Sequence, residues 1–514
     1  MAGGAKVNYY GISRVRRSLI HFATGKSASA VASLAVVVIT IRELPVSEYA
    51  VFVTLQALVM MVRTLTSFGV NAVLLRYLPD LRVVGNNRAT YAMMFCGIVA
   101  RALLFVLLAV PLLYFAGDRL ARALNLGEWA WLLGWYLLTV GLLRVLATFT
   151  GWAMESLLWQ KQAQYSIAVA MLLKLAAVLA LIYYDRFDLE NFVKLEFAVE
   201  ALSFVLLIST AFVSWRRDPH RHDGTLRTLR DDARRYLRFA FWAYLFNFTT
   251  VLHGSAPNRL IVSHYLGTAS TALFGAVDRL IQYVKQYEPV KLLIGLVRPV
   301  FNAQYQSEDD FGKILRFADG IFRFNLIILI VPLLPFAVAG ETLFDLITAG
   351  KYAGAAPLFL GFYFVLALGS FMLVLELIVK AVELNSVFTI SNLLMSGSVL
   401  IAIPFLPTVG LWALVAANSF GYIAATAVVL AYLAHKGFAV RLRLDLIGRI
   451  IGALIAATVA GRLLIQFGAH PALGIAATYA VYAAFSWFWL PFTDEEVSIG
   501  RQLLQKRMHR EPRP

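Results

Sequence analysis

The chain has 514 residues, of which 60% are hydrophobic, and its mean hydropathy of +0.72 excludes a soluble globular protein. Its net charge of +16 does not require a nucleic-acid partner, because basic loops on one side of a membrane protein give the same excess. The single cysteine, Cys96, excludes a disulfide within the chain.

Apolar stretches follow one another along nearly the whole chain, and each is long enough to cross a bilayer as a helix, which takes about 20 residues. The first has no cleavage site after its apolar run, so we expect a retained span rather than a signal peptide. We predict an all-α integral membrane protein with 14 transmembrane helices. The spans are expected at 18–41, 50–79, 90–116, 130–154, 163–184, 193–215, 236–263, 269–305, 318–339, 357–383, 387–406, 409–434, 446–466 and 471–490.

Basic residues in the loops predict the orientation. With a cytoplasmic N-terminus, the inner segments carry 24 Lys and Arg residues and the outer loops carry five. Because cytoplasmic loops are enriched in these residues, we predict that both termini are cytoplasmic. Seven of the arginines lie in 216–235, where interspersed aspartates favour a solvated linker or a short interfacial helix.

The chain contains a weak internal repeat at an offset of 222 residues. Residues 44–76 align with 266–298 without a gap, with seven identities in 33 positions. The alignment pairs basic residues twice, Arg63 with Lys285 and Arg76 with Arg298. Basic residues within spans are costly and rare, so this coincidence weighs more than the apolar matches. Both halves begin on the same side, so the repeat is parallel, related by an axis along the membrane normal.

The repeat predicts two six-helix lobes followed by an added helix pair. The predicted parts are an N-lobe at 1–215, a cytoplasmic basic linker at 216–235, a C-lobe at 236–434, the helix pair at 435–490 and a basic cytoplasmic tail at 491–514.

Charged residues within the predicted spans point to a cavity. Seventeen Lys and Arg residues lie in spans, against seven Asp and Glu, and intramembrane charges normally face a bundle interior or a water-filled space. Span 2 places Gln56, Arg63 and Ser67 on one helical face by their spacing. Span 8 repeats the pattern with Asp278, Gln282 and Lys285.

We predict a cationic, hydrated cavity between the lobes that binds the substrate. Its lining is predicted to be Lys26, Gln56, Arg63, Asn247, Asn258, Arg259, Gln282 and Lys285. Asp278, Arg279 and His253 are candidates for a gate or for ion coupling. Arg76 and Arg298 are expected near the cytoplasmic ends of their helices.

The alternative is that the intramembrane charges form internal ion pairs that hold helices together. We expect such a pair for Glu376 with Lys380, and Lys174 could pair with Glu196 or Glu200. For Lys285, Glu288 is the nearest acidic candidate along the chain, whereas Arg63 has no carboxylate within a helical turn. Both alternatives stay open for each cation of the predicted cavity.

No motif for catalysis or ATP hydrolysis is found. Gly25-Lys26-Ser27 resembles the end of a P-loop, but Ile20 occupies the position of its first glycine. The sequence has no cluster of metal ligands and no outer loop large enough for a catalytic domain, so we expect no metal and no cofactor. The sequence therefore predicts a gradient-driven transporter rather than an enzyme.

Three segments resemble polysaccharide flippases of the O-antigen type, in the multidrug/oligosaccharidyl-lipid/polysaccharide (MOP) superfamily. They are Arg42-Glu-Leu-Pro-Val-Ser-Glu-Tyr-Ala50, Thr66-Ser-Phe-Gly-Val-Asn-Ala-Val-Leu-Leu-Arg-Tyr-Leu-Pro79 and Leu343-Phe-Asp-Leu-Ile-Thr-Ala-Gly-Lys-Tyr-Ala-Gly-Ala-Ala-Pro357. Ala50 and Ala349 depart from the family pattern, which has glycine at the first of these positions.

The resemblance implies a MATE-like fold of two lobes working by alternating access in a bacterial inner membrane. The implied substrate is a polyprenyl-pyrophosphate-linked oligosaccharide, flipped to the outer leaflet for O-antigen, capsule or exopolysaccharide synthesis, with polymerase and export proteins as partners. A drug/cation exporter of the same superfamily and a lipid II flippase are the alternatives. A polymerase or lipid-linked glycosyltransferase would need a large outer loop, which the predicted topology lacks.

Overall fold

The computed structural model describes residues 12–290, 311–382, 384, 386–440 and 443–488. Within these residues the secondary structure is helical, which confirms the predicted class. The main helices are α1 (Ile12–Glu43), α2 (Val46–Leu65), α3 (Val70–Val83), α4 (Asn87–Ala123), α5 (Gly127–Ser156), α6 (Gln160–Tyr183), α7 (Leu189–Arg217), α8 (Arg227–Asp231), α9 (Ala233–Val251), α10 (Ser255–Gln286), α11 (Phe311–Thr348), α12 (Ala355–Ala381), α13 (Ser386–Ala402), α14 (Trp412–His435), α15 (Leu444–Gln466) and α16 (Pro471–Phe488).

Thirteen helices in the described ranges are long and apolar enough to cross a membrane, so the chain is a multi-pass membrane protein. The difference from the 14 predicted spans arises at 236–263 and 269–305. There, α9 ends at Val251 and α10 runs on through Gln286, with a non-helical residue, Gly267, where the sequence predicts the turn between spans. Residues 291–305 of predicted span 8 lie outside the described residues.

The chain separates into two compact units, residues 1–275 and 276–514. In the first unit α1 packs on α6, α6 and α5 pack on α7, and α9 packs on α2 and α3. In the second unit α12 packs on α11 and α14, and α15 and α16 pack on each other and on α11. The predicted lobe boundaries at 216–235 stay a prediction.

Predicted span 2 is not one continuous helix, and this correction matters for the site. The chain breaks between α2 and α3, where Phe68 (φ 41°) and Gly69 (φ 74°) adopt left-handed conformations. A Cβ on Gly69 would lie 2.0 Å from the carbonyl oxygen of Ala240 on α9, so only glycine fits. The helical-face prediction therefore holds for Gln56 and Arg63 but is wrong for Ser67, which lies in the break.

The basic segment 216–235 contains the short helix α8 and is anchored to the α3–α4 turn; its place at the membrane interface stays a prediction. The side chain of Asn86 accepts from Thr225 N at 3.1 Å and donates to Thr225 O at 3.0 Å. Asn87 donates to His220 O at 3.0 Å. The backbone of the segment is therefore held in place while most of its charged side chains stay exposed.

Helices α15 and α16 donate hydrogen bonds to two backbone carbonyls of α11, one released by a proline and one beside the kink. Pro335 lacks an N–H, which leaves the carbonyl of Val331 without its helical donor, and Tyr479 Oη donates to that oxygen at 3.1 Å. Arg462 Nε donates to Ala337 O at 2.9 Å, two residues before the non-helical Ala339. The added helix pair thus stabilises a kinked helix.

Candidate functional site

Arg63 lies in the last turn of α2, directly before the break, and is half-buried. Its guanidinium makes no hydrogen bond and no ion pair with any residue that the structure describes. Its electrostatic neighbours are Arg144, which repels it, and Glu200, which attracts it. This group therefore has hydrogen-bonding capacity that the described protein does not use.

The break beside Arg63 is held by a second buried arginine. Arg101 on α4 is 1% exposed and donates through Nη1 to the carbonyl oxygen of Thr66. It also donates through Nη2 to the carbonyl oxygen of Arg63 at 3.1 Å. The last carbonyls of a helix have no intrahelical donor, so Arg101 caps the end of α2. The cap brings two positive charges, Arg63 and Arg101, into electrostatic contact.

A buried ion-pair network lies on the neighbouring helices α5, α6 and α7. Arg144 pairs with Glu196 at 2.9 Å and with Glu200 at 2.7 Å, and Lys174 also pairs with Glu196. Tyr136 Oη donates to Glu196 at 2.7 Å. The predicted pairing of Lys174 with one of these glutamates is confirmed. Both carboxylates are therefore compensated by Arg144 and Lys174, which leaves Arg63 and Arg101 as excess positive charge.

The other predicted site residues of the first unit lie in several environments. Gln56, two turns before Arg63 on α2, is buried, and its Oε1 has no hydrogen-bond partner in the described structure. Lys26 interacts electrostatically with Glu155, an acidic neighbour that its sequence position did not indicate. Arg76 is exposed.

The remaining residues of this group lie along the end of α9 and the start of α10: Asn247 is on α9, His253 is in the turn that follows, and Asn258 and Arg259 are at the start of α10. Asn258 and Arg259 are buried, and Asn258 Oδ1 has no hydrogen-bond partner among described atoms. Asn247 and His253 are half-buried. Amides with unused acceptors at buried positions can bind hydroxyl groups.

In the second unit, Asp278 is buried and accepts from Gln282 Nε2 at 3.0 Å. Arg279 and Lys285 are half-buried on the same helix. Arg298 lies outside the described residues. The pairing of Lys285 with Glu288 and the cavity between the predicted lobes stay predictions.

The two helices that the predicted repeat aligns, α2 and α10, end at matching positions. Gln286, the last helical residue of α10, lies 221 residues after Leu65, the last residue of α2, so the two aligned helices end within one residue of the offset of 222. After this second break, Val290 N donates to Asn325 on α11 at 3.2 Å. In each unit the helix that follows a broken span supplies a side chain to the break.

Arg101 and Arg323 are a further basic pair at the offset of 222 residues. Each is 1% exposed, and Arg323 pairs with Asp319 at 2.9 Å. The spacing of these two intramembrane arginines could have been found in the sequence. It was missed because the aligned segment ended at residue 76, before Arg101. The acceptors of Arg101, by contrast, are backbone carbonyls, which have no sequence signature.

No protein-family model and no curated protein sequence matches the chain. Solved structures do match. The lipid II flippase MurJ in an inward closed conformation has a TM-score of 0.68 at 12% identity, over 91% of this chain and 98% of that one. An inward-facing MATE-family multidrug resistance transporter of the MOP superfamily has a TM-score of 0.63 at 14% identity, over 79% and 94%. An outward-facing structure described in the same terms scores 0.51 at 15% identity, over 83% and 96%.

The chain therefore has the fold shared by MurJ and the MATE transporters, as the sequence resemblance to the MOP superfamily implies. At these identities the likeness concerns the fold alone. The substrate must be argued from the residues of the site.

Proposed function

We propose that the protein is a flippase for a polyprenyl-pyrophosphate-linked oligosaccharide and moves it from the inner to the outer leaflet of a bacterial inner membrane. The observation that carries the proposal is the half-buried guanidinium of Arg63, which has no hydrogen bond or ion pair within the described structure. A planar guanidinium with free donors can fork onto two phosphate oxygens. Both termini are then cytoplasmic, as the loop charges predict.

The surrounding charges favour an anionic substrate. Arg144 and Lys174 compensate the buried carboxylates of Glu196 and Glu200, so Arg63 and Arg101 contribute excess positive charge. A diphosphate would supply the missing negative charge. The buried amides of Gln56 and Asn258 have acceptor atoms available for sugar hydroxyls.

The same arrangement argues against Glu196 as the cation-binding carboxylate of a drug/cation exporter. Such a protein needs a carboxylate that can release its own partner and bind a cation. Glu196 is 1% exposed and already accepts from Lys174, Arg144 and Tyr136, so an incoming cation would have to displace two internal ones.

A lipid II flippase remains the second candidate, favoured by the 91% coverage in the comparison with MurJ. Both candidates share the polyprenyl-diphosphate chemistry that Arg63 would bind. The polysaccharide assignment rests on the sequence resemblance of residues 42–50, 66–79 and 343–357, and polymerase and export proteins of a polysaccharide pathway would then be partners.

Transport is proposed to be driven by the membrane potential or an ion gradient. Each charge moved through 100 mV is worth about 2.3 kcal/mol, so outward movement of an anionic cargo is downhill when the cell interior is negative. The test is flipping in proteoliposomes with no ATP and with three cargoes: a polyprenyl-pyrophosphate oligosaccharide, lipid II and a cationic drug. Potential-dependent flipping of the first is expected. Transport of the drug alone, or flipping unchanged at zero potential and zero gradients, would contradict the proposal.

A further inference from the structure

A separate pocket of about 510 Å³ opens in the first unit, at the end where α3 and α7 finish and α4 and α6 begin. Its walls include Arg82, Tyr91, Trp159, Gln162, Ser214 and Arg217. The basic segment 216–235 begins here, so the predicted topology places the pocket at the cytoplasmic interface. Its volume is in the range of small-ligand sites.

One wall of the pocket is formed by hydrogen-bonded side chains whose charges compensate each other. Arg82 pairs with Asp218 at 2.7 Å and donates to Tyr91 Oη at 3.0 Å. Tyr91 Oη donates to Asp218 at 2.5 Å, and its ring stacks on Trp159 with centroids 6.1 Å apart. Arg82 and Asp218 compensate each other, so this wall shapes the pocket and leaves its net charge to another residue.

That residue is Arg217 at the end of α7. Arg217 lines the pocket and is exposed, and its guanidinium makes no hydrogen bond or ion pair with any described residue. The side chains of Gln162 and Ser214, which also line the pocket, likewise have no hydrogen-bond partner in the described chain. The pocket therefore presents one uncompensated cation and neutral donors, a donor set suited to a phosphate group.

Apolar residues beside these donors indicate a lipid. Val213 lines the pocket and is 44% exposed, and Phe212 next to it is 39% exposed. Trp159 belongs to the residue type that is enriched where headgroups meet the hydrocarbon. A free phosphate would not use this apolar border, whereas a phospholipid would place its headgroup on Arg217 and its acyl chains along α7.

We propose that this pocket binds the phosphate headgroup of an anionic phospholipid, at a site separate from the cargo site around Arg63. Binding here does not depend on the proposed flipping activity, so the two proposals can fail independently.

The chain offers a matched control for the test. Arg216 carries the same charge one residue earlier, but its guanidinium stacks over the ring of Phe212 at 4.6 Å and does not line the pocket. Both arginines are exposed, so neither Arg216→Gln nor Arg217→Gln should prevent folding.

The experiment measures binding of acyl-labelled phosphatidylglycerol to the full-length protein in neutral detergent micelles, with phosphatidylcholine of the same chains as the second lipid. Loss of one charge-assisted hydrogen bond predicts about a tenfold weaker phosphatidylglycerol affinity for Arg217→Gln. Arg216→Gln should change it less than about twofold if the contact is specific. Ser214→Ala should also weaken the affinity for phosphatidylglycerol.

Three outcomes would overturn the proposal. Equal losses in Arg216→Gln and Arg217→Gln would mean diffuse attraction to a basic surface. Equal affinity for phosphatidylcholine and phosphatidylglycerol would mean that the pocket does not distinguish headgroups by their net charge. Complete competition by millimolar inorganic phosphate would assign the pocket to a free phosphate rather than to a lipid.

Discussion

Arg101 on α4 donates a hydrogen bond to the backbone carbonyl of Arg63 at 3.1 Å, so one intramembrane arginine fixes the end of the helix that carries another. A second bond from Arg101 reaches the carbonyl of Thr66. The two arginines thus have different roles. The guanidinium of Arg101 is used by the protein, whereas that of Arg63 makes no hydrogen bond or ion pair with the described residues.

The first prediction concerns this cap. Arg101→Met removes the donor to the carbonyl of Thr66 and one of two side-chain donors to the carbonyl of Arg63, and a buried unsatisfied group costs about 1–3 kcal/mol. We expect a lower melting temperature in detergent, partly restored by Arg101→Lys. Arg119→Gln is the control, because Arg119 lies exposed on the same helix. A melting temperature equal to that of the wild type in Arg101→Met would show that the cap does not stabilise the break.

The second prediction concerns the helix pair α15–α16. Tyr479→Phe removes the donor to Val331 O, the carbonyl released by Pro335. We expect faster amide exchange in α16 and around the kink of α11, measured by hydrogen–deuterium exchange, with a loss of about 1 kcal/mol. Tyr183→Phe is the matched control, since Tyr183 is 83% exposed and has no hydrogen bond to the described chain. Equal exchange in both variants would contradict the stabilising role.

Hydropathy predicted most of the helices because each apolar run exceeds the bilayer thickness, whatever its packing partners. It did not predict the break between α2 and α3. The apolar run continues through Gly69, and the break depends on the close approach of Ala240, a tertiary contact.

An ion pair within one helix was predictable from the sequence, whereas the partners of Arg144 on another helix were not. The pair of Glu376 with Lys380 was predictable from an i, i+4 spacing and is confirmed. Arg144 and Glu196 are 52 residues apart, so only the packing of α5 on α7 brings them together. Sequence patterns therefore find charges within spans but assign partners only along one helix.

The third prediction concerns pH. Burial opposes ionisation of Asp218, but hydrogen bonds from Tyr91 and Arg82 outweigh it and lower the pKa of Asp218 below its ordinary value of 3.8. Its stabilising effect is therefore present above the unfolded pKa and is lost as the pH falls through the folded pKa. We expect the melting temperature of Asp218→Asn to be lower than that of the wild type at pH 7, and this difference in melting temperature to shrink below about pH 4. Asp231→Asn, at an exposed position, should show no such difference.

The fourth prediction concerns topology. In a Cys96→Ala background, cysteines at His222 and Lys436 should resist an impermeant thiol reagent added outside, whereas one at Ala353 should react. These positions are exposed, so protection reports the side of the membrane. Gly224 is unsuitable, because a Cβ there would lie 2.2 Å from Asn86 Oδ1. Outside labelling at His222 would contradict the predicted orientation.

The last prediction separates the cargo site from the scaffold with two arginines that are electrostatic neighbours. Arg63→Gln removes a charge that no described residue pairs with, so we expect lost flipping at a normal melting temperature. Arg144→Gln leaves Glu200 and part of Glu196 uncompensated, and breaking a buried pair costs about 3–5 kcal/mol. We therefore expect Arg144→Gln to have a lower melting temperature than the wild type, whatever its flipping activity.

Lys285→Gln and the double variant with Arg63→Gln extend the comparison to the residue at the offset of 222. If both cations bind the diphosphate, each single variant should flip less cargo and keep its melting temperature, and the double variant should be inactive yet folded. Flipping in proteoliposomes and thermal unfolding are measured on the same preparations. Full activity in the double variant, or early melting of Arg63→Gln, would mean that Arg63 belongs to the scaffold, because a residue that only binds cargo can be removed without exposing a buried charge.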